Sequence, residues 1–402
     1  MKTTTKCLNL FSSLFFLLSC AFTGVALAEN VECTIADHAI KQASEIRGLK
    51  IKEEVPCFVR DRPQIEAYLV ETIDEKVPEE QFSIEEYVYK RVGILPYDFD
   101  YRSGLINLYL SQIGGYYDPV RNHFVMASWM PQAMQSAIAV HELTHALQDQ
   151  YFDLTGFMNI EEYSSDEIFA RSALVEGDAT AVMMDYVRAM AGQPPLEKTE
   201  SIESIMLQNV VGASMMDGFA EVPESLQKMV LFPYISGLRF AHNLLQKGGY
   251  EEINRALKNP PRSTEEILHP EKYFKAEPDF IVFSDKDMLI DETLKKAKVV
   301  FDDTFGEFMI SALLGAHSDD KGRAARTAVG WGGDRIMLFQ GDTEDHRVLV
   351  WRLNWDSVQD AQDFYLEYGE VLKKLYPESE GRAKNISLEQ NETEVTVVFR
   401  SE

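Results

Sequence analysis

The run His141-Glu142-Leu143-Thr144-His145 sets two imidazoles four residues apart with a carboxylate beside the first. On a helix both histidines fall on one face, one turn apart, where they can ligate a single metal ion. Glu142 is turned by roughly 100° from His141, so its carboxylate can reach a water on that ion without taking a ligand position. This is the H-E-x-x-H pattern: two ligands and a base. So short a pattern also arises by coincidence, and a catalytic zinc site needs a third protein ligand with the fourth position left open. The rest of the chain has to supply it.

A third histidine six residues beyond His145 is excluded, because position 151 is Tyr151 and position 148 is Gln148. The best-placed carboxylate is Glu176. Ser164-Ser165-Asp166-Glu167 has capping-box form and opens a helix that runs to about Ala191. Helical spacing then lines up Phe169, Ala173, Glu176, Ala179, Met183 and Val187 on one stripe. A carboxylate in an apolar row costs several kcal/mol unless it binds a metal or pairs with a buried arginine or lysine. Either satisfies the pattern, and a metal is the reading taken here. Gly177 would let another backbone, or the histidine helix itself, approach closely. Asp178, roughly 200° round the helix from Glu176, is expected near Arg171 or at the surface. With Asp149 it is a candidate for supporting the ligands from behind.

The elements that must position these residues are legible in outline. Pro131 fits the first turn of a helix reaching about Gln150, whose stripe is Met134, Ala137, Ile138, His141, His145 and Gln148. Val140, Leu143 and Leu147 widen it, as expected of a buried helix. Ahead of that helix, Gly114-Gly115-Tyr116-Tyr117 leads through Asp118-Pro119-Val120-Arg121-Asn122 into His123-Phe124-Val125-Met126-Ala127-Ser128, a hairpin by its turn residues and its aromatic and β-branched flanks. The strand just before the helix either offers its edge to an extended peptide or is purely structural. Residues 33 to about 96 read as helical and peripheral, and Tyr101 to Gln112 continues in that style.

Two histidines on one helix and a glutamate thirty-one residues after the second resemble the gluzincin branch of zinc metallopeptidases. The wording is closer still over Gly115-Tyr116-Tyr117-Asp118-Pro119, His141 to Gln150 and Leu174-Val175-Glu176-Gly177-Asp178-Ala179, which look like a group of exported bacterial proteins of gluzincin type. The resemblance covers about residues 100–190. It implies that His141, His145 and Glu176 are zinc ligands and Glu142 the general base. It departs from the thermolysin-like pattern at Thr180, where that pattern has an aspartate four residues after the ligand glutamate.

Residues 200–275 read as helical. Phe232-Pro233-Tyr234-Ile235-Ser236-Gly237 precedes an amphipathic helix ending at Gly248-Gly249, and Ser263-Thr264-Glu265-Glu266 caps a short helix stopped by His269-Pro270. Peptide hydrolysis needs a donor for the developing oxyanion. Tyr234, His269 and Tyr273 are candidates, each with structural anchoring as the rival reading. From Val282 the composition shifts to alternating segments at Ile336–Gln340, Val348–Leu353 and Glu394–Arg400, with helices near Thr304–Leu314 and Val358–Leu375. The glycines around Trp331 lack phosphate-loop spacing, so a nucleotide site is rejected.

The chain opens with Lys2 and Lys6, an apolar run from Leu8 to about Val25, and Ala26-Leu27-Ala28. These read as a secretory signal peptide cleaved after Ala28. Leu17-Leu18-Ser19-Cys20 is also close to a lipoprotein box, which would leave a lipid anchor on Cys20. No second run of eighteen apolar residues follows, so no membrane span is expected beyond the signal. Of four cysteines in 402 residues, only Cys33 and Cys57 lie beyond the signal, and an even pair in an exported chain reads as one disulfide. A net charge of −26 argues against nucleic acid or an anionic membrane face as partner.

The expected architecture is therefore α+β and predominantly helical. A signal peptide (1–28) precedes a helical cap with the disulfide (29–99), a gluzincin-like core with a hairpin before the H-E-x-x-H helix (100–280) and a small C-terminal α+β subdomain (281–402). The expected function is exported, periplasmic or secreted, zinc-dependent hydrolysis of a protein or peptide. The rivals are a binding or chaperone-like protein on the same scaffold and a metal-dependent hydrolase of a non-peptide envelope substrate.

Overall fold

Helix caps and turn residues set most element ends where the sequence puts them. The computed structural model describes residues 33, 35–206, 219–275, 278–342, 346–377 and 385–401. The expected signal peptide and Cys20 lie outside those residues. Numbering only helices of eight residues or more, the helical part contains α1 (Ala36–Arg47), α2 (Arg62–Lys76), α3 (Glu79–Val92), α4 (Tyr101–Gln112), α5 (Gln132–Phe152), α6 (Ser165–Met190) and α7 (Glu224–Lys258). The Ser164–Glu167 capping box opens α6 as its spacing predicts, and Asp61 with Gln64 forms a second box at α2. The protein is predominantly helical with mixed α+β content.

A three-stranded sheet sits beside α5, made of β1 (Cys57–Arg60), β2 (Gly115–Asp118) and β3 (His123–Ala127) in the order β1-β3-β2. The β2–β3 hairpin turns through Asn122, whose φ of 46° suits asparagine. β1 was not anticipated: four residues are too few to show alternation against a helical background. Its parallel pairing with β3 makes β3 the middle strand and leaves β1 and β2 as the two edges. The Cys33–Cys57 disulfide ties the start of α1 to this sheet.

α5 lies in the middle of the helical part, touched by α1, α6, β2 and β3. From Ala139 to Gln148 it is buried on every face. Its first turns project outward, so Met134, expected in the buried stripe, is 50% exposed. α6 likewise leaves the core at its end, where Val187 is exposed.

α6 packs hardest on α7, and the crossing is glycine on glycine. A Cβ on Gly177 would stand 2.1 Å from the Gly237 carbonyl oxygen, and one on Gly237 would stand 2.1 Å from that of Ala173. Gly177 thus admits α7 rather than the histidine helix. Pro233 lies inside α7 rather than ahead of it, and the chain runs past Gly248 and Gly249, where the helical dihedrals break, to Lys258.

The C-terminal part is a five-stranded antiparallel sheet of β4 (Lys298–Asp303), β5 (Trp331–Gln340), β6 (Arg347–Trp355), β7 (Ile386–Asn391) and β8 (Glu394–Arg400), in the order β4-β5-β6-β8-β7. Helices α8 (Gly306–His317) and α9 (Lys321–Ala328) connect β4 to β5, and α10 (Val358–Leu375) connects β6 to β7. The two outer strands, β4 and β7, are those the alternation missed; edge strands have one solvated side and carry more charge. One continuous apolar core runs from Ile65 in α2 to Phe399 in β8, so helices and sheet pack as a single body. Polar ties cross the same boundary. Asp303 at the end of β4 accepts from the backbone and hydroxyl of Ser165, and the Asp166 amide donates to the Thr304 carbonyl. Within the C-terminal part, Asp334 is held by four donors: the indoles of Trp331 and Trp351 and the amides of Phe305 and Gly306. No described helix is long and apolar enough to cross a membrane.

Replacing Gly177 with alanine forces α6 and α7 apart against backbone. We expect Gly177→Ala to destabilise by about 1–3 kcal/mol, as overpacking does, read as a lowered Tm in thermal unfolding.

Candidate metal centre

α5 carries His141 and His145 inward, and α6 crosses it so that Glu176 faces both. His141 Nε2 lies 3.1 Å from Glu176 Oε2 and 3.1 Å from His145 Nε2, and His145 Nε2 lies 3.5 Å from the same Glu176 oxygen. Among the described residues this is the one group of three or more metal-ligating side chains whose donor atoms lie within 4.8 Å of one another. His145 and Glu176 are each 1% exposed and His141 8%, so the three donor atoms meet at a point almost closed to solvent.

The electrostatics follow from that burial. Desolvation works to raise the Glu176 carboxyl, but the neighbouring His145 and hydrogen bonds from both imidazoles outweigh it and bring it down to about 2. Desolvation works to lower His145, yet the Glu176 charge carries it up to about 9. The proton that His145 holds against Glu176 stands where a divalent cation would, and with it displaced the two imidazole nitrogens and the carboxylate are the donor set of such an ion. The alternative partner for Glu176, a buried arginine or lysine, is not what faces it.

Glu142 stands beside the trio without joining it. Its Oε2 accepts from the Tyr117 amide at 3.0 Å, so the free edge of β2 holds the carboxylate. Burial pushes the Glu142 carboxyl above its ordinary range; the two histidines and the Tyr117 amide pull the other way, and Glu176 adds to the rise. A carboxylate poised upward suits proton transfer near neutral pH.

The supporting residues divide. His145 Nδ1 lies 2.8 Å from Gln148 Oε1, and Gln148 Nε2 donates to the Val175 carbonyl at 3.0 Å and to Asp178 Oδ2 at 2.8 Å. Asp178 is neither near Arg171 nor at the surface. It is fully buried, with both oxygens 2.7 Å and 2.9 Å from Arg47 Nε, because α1 covers that face of α6. Arg171 instead lies over the Tyr163 ring. Asp149 is turned away from the histidines, accepting from the Tyr117 hydroxyl and the Leu154 amide. Among the described residues the buried Thr180 hydroxyl, at the position where the thermolysin-like pattern has aspartate, and the His141 Nδ1 have no hydrogen-bond partner.

Tyr234 comes to the site: its ring centroid is 6.3 Å from that of His141, and burial together with Glu176 and Glu142 keeps its phenol well above its usual pKa. His269 and Tyr273 are engaged elsewhere. His269 Nε2 pairs with Glu307 at 3.0 Å, and the Tyr273 hydroxyl donates to the Asn259 carbonyl at 2.8 Å.

Arg47 and the Tyr117 amide went unnoticed in the sequence. Arg47 was findable, because Ala36, Ala39, Ile40 and Ala43 have helical spacing that puts position 47 on the same buried face. A backbone amide leaves no residue-type signal.

A family model described as "Putative metallopeptidase family (DUF6782)" matches residues 106–195. That span contains α5, β2, β3 and α6, with His141, Glu142, His145 and Glu176 all inside it. A second model, "Domain of unknown function (DUF8575)", matches residues 294–402, the C-terminal sheet and its helices. No curated protein and no solved structure matches the chain. Over residues 106–195 the chain is thus similar to a metallopeptidase family, which implies a metal, and the trio is a group able to hold one.

Removing a direct ligand costs more than removing a partner behind one. Glu176→Ala should weaken divalent-metal affinity by more than about 100-fold and abolish the rise in Tm that added metal gives the wild type, checked by metal analysis and thermal unfolding.

Proposed function

We propose that the chain is an exported zinc-dependent peptidase of gluzincin type. The observation that carries this reading is the spacing within the trio. Four ligands at tetrahedral angles with bonds of about 2.0–2.1 Å stand about 3.3 Å apart, and the three separations here are 3.1, 3.1 and 3.5 Å. Two imidazoles and one carboxylate are also the donor set of hydrolytic zinc sites that leave a position for water. The metallopeptidase match over the same residues supports peptide as substrate.

A zinc ion held by His141, His145 and Glu176 would polarise the scissile carbonyl and acidify the attacking water. Glu142 takes that water's proton and passes it to the leaving amine; no covalent acyl-enzyme is needed. The Tyr117 amide keeps the Glu142 carboxylate aimed through both steps. Tyr234, kept neutral beside His141, is the donor best placed for the developing oxyanion. Export is supported by the N-terminal sequence and by the Cys33–Cys57 disulfide.

Glu142→Gln keeps the shape of the side chain and removes the base. Hydrolysis of a peptide library should fall by about 10²–10⁴-fold while stoichiometric zinc is retained. A variant that cleaves at the wild-type rate overturns Glu142 as base.

A further inference from the structure

Two ligating histidines are held in different ways. His141 Nδ1 has no partner among the described residues, whereas His145 Nδ1 meets Gln148 Oε1 at 2.8 Å. The orientation of the Gln148 amide is dictated from behind. Its nitrogen faces two acceptors, the Val175 carbonyl and Asp178 Oδ2, so its oxygen must face His145. An amide oxygen only accepts, so His145 keeps a proton on Nδ1, and Nε2 is the nitrogen it can give to a metal. Asp178 is held in turn by Arg47, the last residue of α1, whose guanidinium also lies over the Tyr250 ring at 5.1 Å. All three polar side chains are at most 1% exposed.

We infer that Gln148, fixed by Asp178 and Arg47, is a positioning residue that sets the ring orientation and tautomer of His145. Arg47 and Asp178 act through it. This rests on the zinc reading of the trio. It gives α1 a part in the metal centre, since a buried ion pair is a poor source of net stability and here holds a ligand's partner. Donation from the far nitrogen raises ligand basicity and removes the entropy of a free ring, and loss of such a partner typically costs 10–100-fold in metal affinity.

The test uses the full chain, with zinc affinity measured by competition against a chromophoric chelator and coordination read from the visible spectrum of the Co²⁺-substituted protein. Gln148→Met keeps length and apolar volume but removes the acceptor. It should lower zinc affinity by about 10–100-fold and change the Co²⁺ spectrum, with far-UV circular dichroism as in the wild type. A purely structural role for Gln148 would move neither affinity nor spectrum once the protein is folded. Should Gln148→Met fail to fold, the double variant Arg47→Met/Asp178→Leu decides: it removes both buried charges together, and a smaller loss of affinity of the same sign is expected because Gln148 keeps the Val175 carbonyl. Wild-type zinc affinity and an unchanged Co²⁺ spectrum in a folded variant overturn the inference. A wild-type protein that binds no zinc overturns the proposed function instead.

Discussion

His141, His145 and Glu176 bring three donor atoms to one point in a core nearly sealed from water, and such a convergence is expensive unless a metal ion or shared protons sit among them. Much of the surrounding architecture follows from keeping those atoms within about 3 Å of one another. α5 has to be buried on every face over the residues that carry the histidines, so a sheet, α1 and α6 close round it. Glu176 has to reach across from a different helix, and a position error of one ångström would lose the geometry.

The placement of α6 is therefore governed at several points along its length. Its middle is pressed into α7 by the Gly177–Gly237 contact, which leaves no room for a Cβ on either side. Its N-terminus is tied to the C-terminal sheet, where Asp303 takes the Ser165 amide and hydroxyl and favours the positive end of the helix dipole. The short helix Thr264–Leu268 joins the same knot through Thr264, which donates to Asp166. Residues of the chain that bear no chemistry, from 263 to 335, thus act on the site by fixing the helix that delivers its carboxylate. The continuous core from α2 to β8 transmits that constraint through close packing.

The N-terminal segment acts on the other side. The disulfide fixes the start of α1, and Arg47 at its end enters the core against Asp178. β1, contributed by the same segment, fills one side of β3 and leaves β2 as the edge whose Tyr117 amide takes Glu142. A stretch that reads as a peripheral helical cap therefore reaches one ligand's support directly, through Arg47, and the base only by way of β3 and β2.

Residue type and local periodicity were enough to bring His141, Glu142 and His145 together on one helix, because one turn of helix sets their relative geometry and needs no tertiary information. The Ser164 cap and the apolar row marked Glu176 as a buried charge in want of a partner, and the hairpin, α5, α6 and α10 were legible from turn residues and repeat. Tertiary structure alone decided what lay between elements distant in the chain. Asp178 was misjudged because its partner Arg47 is 131 residues away and nothing local announces it. Gly177 spoke for a close approach but not for which helix made it. His269 and Tyr273 had the right chemistry and were drawn off to Glu307 and Asn259, and Tyr234 alone of the three reached His141. A sequence states which groups share a helix face, since the backbone repeat fixes that. It leaves open which faces meet, since that depends on the summed packing of the whole chain.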